Sequence, residues 1–324
     1  FPYSQFPQEK ELKGEVIELD TALFRYPFRI RIEGDKAIVL DLHGSDYYGH
    51  LFQYPSFRYL SSFGRRGDSP LEMLSMENFR LHNHTLWTLD ANKSELTRLD
   101  FSSSGDSLLR EETVALDEDI LRPLDFAIYN DTTFVIPDYS GESRFLKVDC
   151  KGKLIEKIGT IPTTNKKALQ EARPALAQAW RSFLDYNSHN SVLATVTQLG
   201  EVVEIYNLKD STHVIRVGEY DEPEFKVSDG YGIPTGIMGF SDVQVTDDAI
   251  YAVFHGTSFK DIARQSGRLP DGGKYIYVFS LKGEPLCKYV LDHYIYGIWV
   301  DEVTKTIMAT DVNNDQPILK FSFG

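Results

Sequence analysis

Only two cysteines occur in 324 residues, Cys150 and Cys287. They fall in repeat units that are not neighbours, so the expectation is two free, mostly buried thiols and no disulfide. No run of about eighteen apolar residues occurs, which leaves no candidate for a membrane-spanning helix. Basic residues are outnumbered, 34 Lys and Arg against 48 Asp and Glu, for a formal net charge of -14. A surface of that sign repels phosphate backbones and anionic lipid heads, so no nucleic-acid partner is expected. Phosphate-binding glycine loops, nucleophile elbows and paired Cys-x-x-Cys motifs are also missing. His82 and His84 have metal-compatible spacing but lie on a hairpin turn with no third ligand nearby in sequence, and they read as a solvated turn. No metal or cofactor is expected. The polar, Pro-containing lead from Phe1 to Lys10, without an initial methionine, reads as the start of a trimmed, exported product.

What the chain has instead is repetition. An alternating apolar run, a short polar turn, a second alternating run, a loop and a third strand recur six times. The first runs of these units begin at Arg29, Phe79, Phe126, Phe183, Val243 and Ile298. Their turns are rich in Asn, Asp and Gly, as in Glu33-Gly34-Asp35-Lys36 and Asn130-Asp131-Thr132, which favours tight hairpins between half-buried strands. A fourth strand follows in five units, for example Leu154 to Ile158. The last unit ends after its third strand, Ile318-Leu319-Lys320-Phe321, and Val16-Ile17-Glu18-Leu19 near the other terminus supplies the missing partner. Six four-stranded units closed in this way predict an all-β, six-bladed propeller forming one domain over 1–324, with 1–11 as a lead and a closing strand at about 14–20. One segment departs from the β pattern. Residues 165–180 carry strong helix formers around Pro174 and predict one or two short helices.

Alternating strand direction sorts the loops onto two faces. Loops from strand 4 to the next strand 1, and from strand 2 to strand 3, share the face that holds the long insertions, at 64–78, 162–180, 220–240 and 256–273. Long loops on a rigid scaffold commonly carry binding, which marks this as the functional face. At the starts of the innermost strands the register places Arg29, Asp125 and Asp242, with Asn78, Ser182 and Gly297 in equivalent positions. With Arg80, Arg122, Arg181, Tyr231 and Tyr296 nearby, they form a candidate binding site at the channel mouth. The alternative is that these charges satisfy one another and the backbone amides at the axis. Tyr47, Tyr48, Phe225 and Tyr231 are the loop aromatics placed to stack on a sugar. Asp311-Val312-Asn313-Asn314-Asp315 resembles the start of a calcium loop but lacks the glycine and glutamate that complete one. Asp41, Asp90 and Asp138 occupy the same place in other units, so side chains bonded to turn amides explain it more simply.

The segment Ser62-Phe63-Gly64-Arg65-Arg66-Gly67-Asp68-Ser69-Pro70-Leu71-Glu72 resembles the Gly-Arg-x-Gly-x-x-Pro-x-Glu signature of TolB-like six-bladed propellers exported by Bacteroides-type bacteria, which are related to NHL-type propellers. With the six repeats and the closing strand, the resemblance covers nearly the whole chain. It implies a periplasmic or outer-membrane lipoprotein with its acylated cysteine just before Phe1, and it brings no catalytic residues. The expectation is therefore a monomeric, non-enzymatic binding or scaffold propeller that engages a protein or a glycan. The alternative is a hydrolase or lyase acting on a carbohydrate or lactone, with Asp125 and Asp242 as acid and base.

Overall fold

The structure, a computed structural model, describes Tyr3, residues 5–20 and residues 24–324. Phe1, Pro2 and Ser4 of the expected lead lie outside the described residues. Six antiparallel sheets of four consecutive strand positions make a six-bladed propeller. Blade one runs from Pro27–Glu33 to Arg58–Arg65, blade two from Met76–His82 to Leu108–Ala115, and blade three from Ala127–Asn130 to Leu154–Ile158. Blade four spans Ser182–Asn187 to Thr212–Val217, and blade five Phe240–Val245 to Pro285–Ile295. Blade six has Ile298–Asp301, Thr306–Thr310 and Ile318–Ser322, and its outer strand is Glu15–Ile17 from the N-terminal region.

That closing strand runs antiparallel to the last one, with Val16 opposite Leu319. The Gln316 amide extends the pairing by one step, accepting from Leu19 N–H at 2.8 Å. The residues before the closing strand are more than a lead. Glu9–Leu12 pairs in parallel with the outer strand of blade five, Leu12 opposite Leu291. Tyr3 donates from its backbone N–H to Val217 O and from its hydroxyl to Glu201 (2.8 Å), while its ring packs on Phe6 and Phe279. The segment thus ties blades four, five and six before it closes the ring. The polar run Glu-Lys-Glu-Leu lacks the alternation of a half-buried strand, because an added edge strand takes its stability from backbone pairing.

A four-stranded sheet exposes two apolar faces, and the propeller buries them blade against blade. Six clusters of buried apolar side chains result, one for each pair of neighbouring blades, and a seventh lies under the helices. The cluster between blades three and four is the smallest, with six buried residues. There a buried ion pair joins the blades: the Arg144 guanidinium holds the Glu204 carboxylate through Nε at 3.1 Å and through a terminal nitrogen at 2.6 Å. Arg144 also donates to Trp180 O and to the Ser182 hydroxyl, and Tyr206 donates to Glu204, so both charges are fully engaged.

Two helices, Lys166–Glu171 and Arg173–Ala179, fill the loop between blades three and four. Pro174 stands in the first turn of the second helix, where its missing N–H costs nothing, and the run is broken just before it at the non-helical Ala172, which gives the two short helices. A hairpin, Phe225–Ser228 with Tyr231–Pro234, rises from the loop between blades four and five and packs on that helix. Gly232 makes the fit, since a Cβ there would stand 2.6 Å from Ala175 O. A third short helix, Phe259–Arg264, lies in the 2-to-3 loop of blade five. Both thiols are free. Cys287 is buried but Cys150 is exposed, because it sits on the hairpin turn after the third strand of blade three, contrary to the expectation of burial for both.

Candidate functional site

The innermost strand of each blade faces the axis with one edge unpaired, so its amides and carbonyls need partners that no neighbouring strand supplies. Side chains supply them, each reaching from one blade to the next. Asp125 of blade three accepts from the Leu184 N–H of blade four at 3.0 Å. Asp185 of blade four accepts from the Val245 N–H of blade five at 2.8 Å, and Asp242 of blade five from the Ile298 N–H of blade six at 2.9 Å. Gln244 accepts from Val300 N–H (2.7 Å) and donates to Val300 O (3.0 Å). Arg80 serves the carbonyls: Nε donates to Phe126 O and a terminal nitrogen to Leu184 O, while the same fork ion-pairs with Asp125 (3.2 Å) and Asp185 (3.0 Å).

The second Asp125 oxygen accepts from Asn78, from Arg80 and from the amide of Phe126. Burial pushes the Asp185 carboxyl up, with the Arg80 and Arg31 charges pulling against it. Gly297 takes the place of a polar residue because blade six abuts blade one there. A Cβ on it would meet Phe28 O at 2.4 Å.

Arg29 is 1% exposed and fills the axis at the end nearer the 4-to-1 loops. Its guanidinium lies 4.7 Å from the Phe183 ring centroid, 5.0 Å from that of Phe28 and 5.6 Å from that of Tyr296. It donates to Phe28 O and stands 4.0 Å from Asp242. Above it, Arg181 lies over Phe183 and pairs loosely with Glu77 at 3.8 Å. Burial, with the Arg29 charge adding to it, pushes the His255 imidazole down to about 4. Burial also raises the Tyr296 hydroxyl, while Arg29 and Arg181 lower it.

Of the residues expected at the channel mouth, the structure gathers Arg29, Arg80, Asp125, Asp242, Arg181 and Tyr296 along the axis. The first four are buried among strand amides and carbonyls, and of these Arg80 alone reaches a cavity, at the far end of the channel from the 4-to-1 loops. Arg122 is exposed on the loop between blades two and three, and Tyr231 stands well out on the hairpin, 63% exposed. Neither belongs to the axial network.

The hollow part of the channel lies at the other end. A cavity of about 740 Å³ opens among the 1-to-2 hairpin turns of blades one, four, five and six. Arg31, Arg80, Asp185 and Gln244 line it, with Asp247, Asp248, Asp301 and Glu302 contributed by the turns. Asp125 and Asp242 do not. The signal for Arg31 was present in the sequence: two positions after Arg29 on the same strand, it shares that residue's face.

The loop-closing motifs have local tasks. Arg66 lies 3.7 Å from the Tyr48 ring centroid and donates to the carbonyls of Asp41 and Leu42. Glu72 accepts from Ser69 N–H, and Gly67 leaves it room, since a Cβ would collide with that carboxylate. Asp41 accepts from the amides of Arg25 and Tyr26, and Asp90 from those of Leu74 and Ser75, which pins each 4-to-1 loop to the blade it enters. Asp311 accepts from the amide of Asn313 and from the side chains of Asn313 and Asn314. Among the described residues no cluster of three or more His, Cys, Asp or Glu has the arrangement of a metal site, and no helix is long and apolar enough to cross a membrane.

A model of the family described as TolB-like 6-blade propeller-like matches residues 5–303. Solved structures share the fold at low identity. A Bacteroides fragilis protein described as exported superposes with a TM-score of 0.61 at 12% identity, covering 98% of each chain. A Bacteroides vulgatus member of the duf4221 family gives 0.58 at 10%, covering 97% of this chain and 96% of that one. An auxiliary nutrient binding protein from Bacteroides ovatus gives 0.57 at 10%, covering 93% and 70%. No curated protein matches.

Proposed function

The chain belongs to the TolB-like six-bladed propeller family, and from that premise we propose that it is a non-enzymatic binding or scaffold module of the cell envelope, engaging a protein through the face of the 4-to-1 loops. One observation carries the reading. Leu71, Leu74, Leu121, Tyr220, Val227, Tyr231, Ile233 and Ile262 are large apolar side chains left exposed, and all stand on loops of that face. Other exposed apolar side chains, such as Leu109, Ile155 and Val303, are scattered over outer strands and the opposite turns, whereas several on the loops of one face are the usual mark of an interaction surface. Aliphatic side chains outnumber aromatic ones here, which favours a protein partner over a glycan, since sugars stack on rings. The hairpin is built for presentation: Phe225 packs into the cluster with Trp180 and Leu176, while Tyr231 and Ile233 share the outward face.

Resemblance to exported Bacteroides propellers supports an envelope location, as a periplasmic or outer-membrane lipoprotein. A nutrient-binding neighbour of the same fold is consistent with a binding role. The alternative of a hydrolase or lyase finds less support, because the oxygens of Asp125 and Asp242 are occupied by strand amides and neither lines the cavity. The test is site-specific photo-crosslinking in intact cells. A crosslinker at Tyr231 is expected to give discrete protein adducts, which Leu71→Ser with Ile233→Ser abolishes. The same group at Val303, 93% exposed on the opposite face, is expected to give none. Equal labelling from both positions, or none from Tyr231, would overturn the proposal.

A further inference from the structure

Arg31 is 6% exposed, and no described residue makes a hydrogen bond or ion pair to it. Its Nε is buried without a hydrogen-bond partner, and the Phe79 ring centroid lies 5.6 Å from the guanidinium carbon. Every other charged or amide side chain on the deep wall of the cavity is engaged. Arg80 bonds two carboxylates and two carbonyls, Asp185 takes Arg80 and an amide, and Gln244 is held at both ends. Burial, and then the Arg80 charge, bring the Arg31 pKa down to about 10 against the weaker upward pull of the more distant Asp242 and Asp185 carboxylates, so it remains a cation at neutral pH. A buried cation without a contacting counter-ion is costly.

From this arrangement we propose that the cavity is a ligand site for a carboxylate, received end-on by the Arg31 fork. A guanidinium offers two parallel N–H donors that match the two oxygens of a carboxylate. The volume of about 740 Å³ is far more than one carboxylate needs, so the ligand has a body that extends toward the mouth. At the mouth the lining charges are Asp247, Asp248, Asp301 and Glu302, with His189 already bonded to Asp247. Those acids exclude a ligand with a second negative charge at its outer end and favour a positive one. The ligand class is therefore a zwitterion, with its carboxylate on Arg31 and its cationic group among the turn acids. Either a small ω-amino acid or the free C-terminus of a lysine-rich peptide has that chemistry. This site lies on the face opposite the apolar loops, and the inference does not depend on what those loops bind.

Isothermal titration calorimetry on the full chain tests it with three probes: 6-aminohexanoate, the peptide Ala-Lys-Lys-Ala with a free C-terminus, and the same peptide amidated. Binding is expected for at least one of the first two, at least tenfold weaker for Arg31→Gln and intermediate for Arg31→Lys, which keeps the charge without the fork. Preference between the two probes identifies the source, and the amide is expected to bind at least tenfold more weakly than the free peptide. Melting of the ligand-free proteins is the second readout. Arg31→Gln is expected to melt at the wild-type temperature or above it, because it removes an unpaired buried charge. Failure of both zwitterions to bind, equal binding to Arg31→Gln, or a lowered melting temperature for that variant would each overturn the proposal.

Discussion

Arg29 and Arg31 stand two residues apart on one strand and one face, at the two ends of the same channel, and their surroundings are opposite. Arg29 is enclosed by three aromatic rings and bonded through a terminal nitrogen to a carbonyl. Its Nε, which like that of Arg31 has no hydrogen-bond partner, stands 4.0 Å from the Asp242 carboxylate. Arg31 has the Phe79 ring beside it, no counter-ion in contact, and a cavity before it. At the first end, charge is structural: each carboxylate ties the strand edge of one blade to the next, and the arginines complete the ring. At the second end, one charge is left over. A charged residue on a propeller axis therefore does not by itself mark a ligand site; what separates the two cases is whether the surrounding backbone has already used its hydrogen-bonding capacity.

Breaking the closed end gives the largest expected effect. Arg80→Ala strands the buried Asp125 and leaves the Phe126 and Leu184 carbonyls without a donor, and it is expected to cost about 3–5 kcal/mol in urea denaturation. Asp242→Ala removes the acceptor of the Ile298 amide and one neighbour of Arg29, for a loss of about 1–3 kcal/mol. Asp242→Asn, which keeps one carbonyl oxygen, should lose less. If either alanine variant left stability unchanged, the closed end would not be the structural clamp described here.

A smaller effect comes from pH. His255 beside Arg29 is held neutral, with its pKa near 4 in place of the ordinary 6.5. Its contribution to stability is therefore fully present above about pH 6.5 and is lost as the pH falls toward 4, where the unfolded chain binds a proton that the folded one refuses. Wild-type melting should fall across that window, and His255→Gln should flatten part of the slope. His50, buried in blade one and likewise pushed down to about 4, supplies a second part of the slope that His255→Gln leaves in place.

Much of this fold could be read from the chain because its hairpin turns and alternating runs are local signals, repeated six times. The closing strand was legible for the same reason: Val16 to Leu19 continues a count that is one strand short. The parallel strand Glu9–Leu12 was not legible, since its stability lies in backbone pairing with residues almost three hundred positions away and three of its four side chains are exposed. For the candidate site, register found the axial residues but not which end of the channel is open. That depends on how far Phe183, Tyr296 and Arg29 fill the axis and on the close approach at Gly297. Cys150 shows the same limit, because a hairpin residue's exposure follows from the turn it occupies more than from its residue type.

The most direct test is a paired melting measurement on Arg29→Gln and Arg31→Gln without ligand. These are the same substitution on the same strand face, so helix or strand propensity and net charge change equally. Arg29→Gln should melt several degrees below wild type, consistent with about 2–3 kcal/mol of lost ring contact and ion pairing, while Arg31→Gln should melt at or above it. Equal loss from both substitutions would contradict the account, because it would mean that the charge at the open end is as structural as the charge at the closed one.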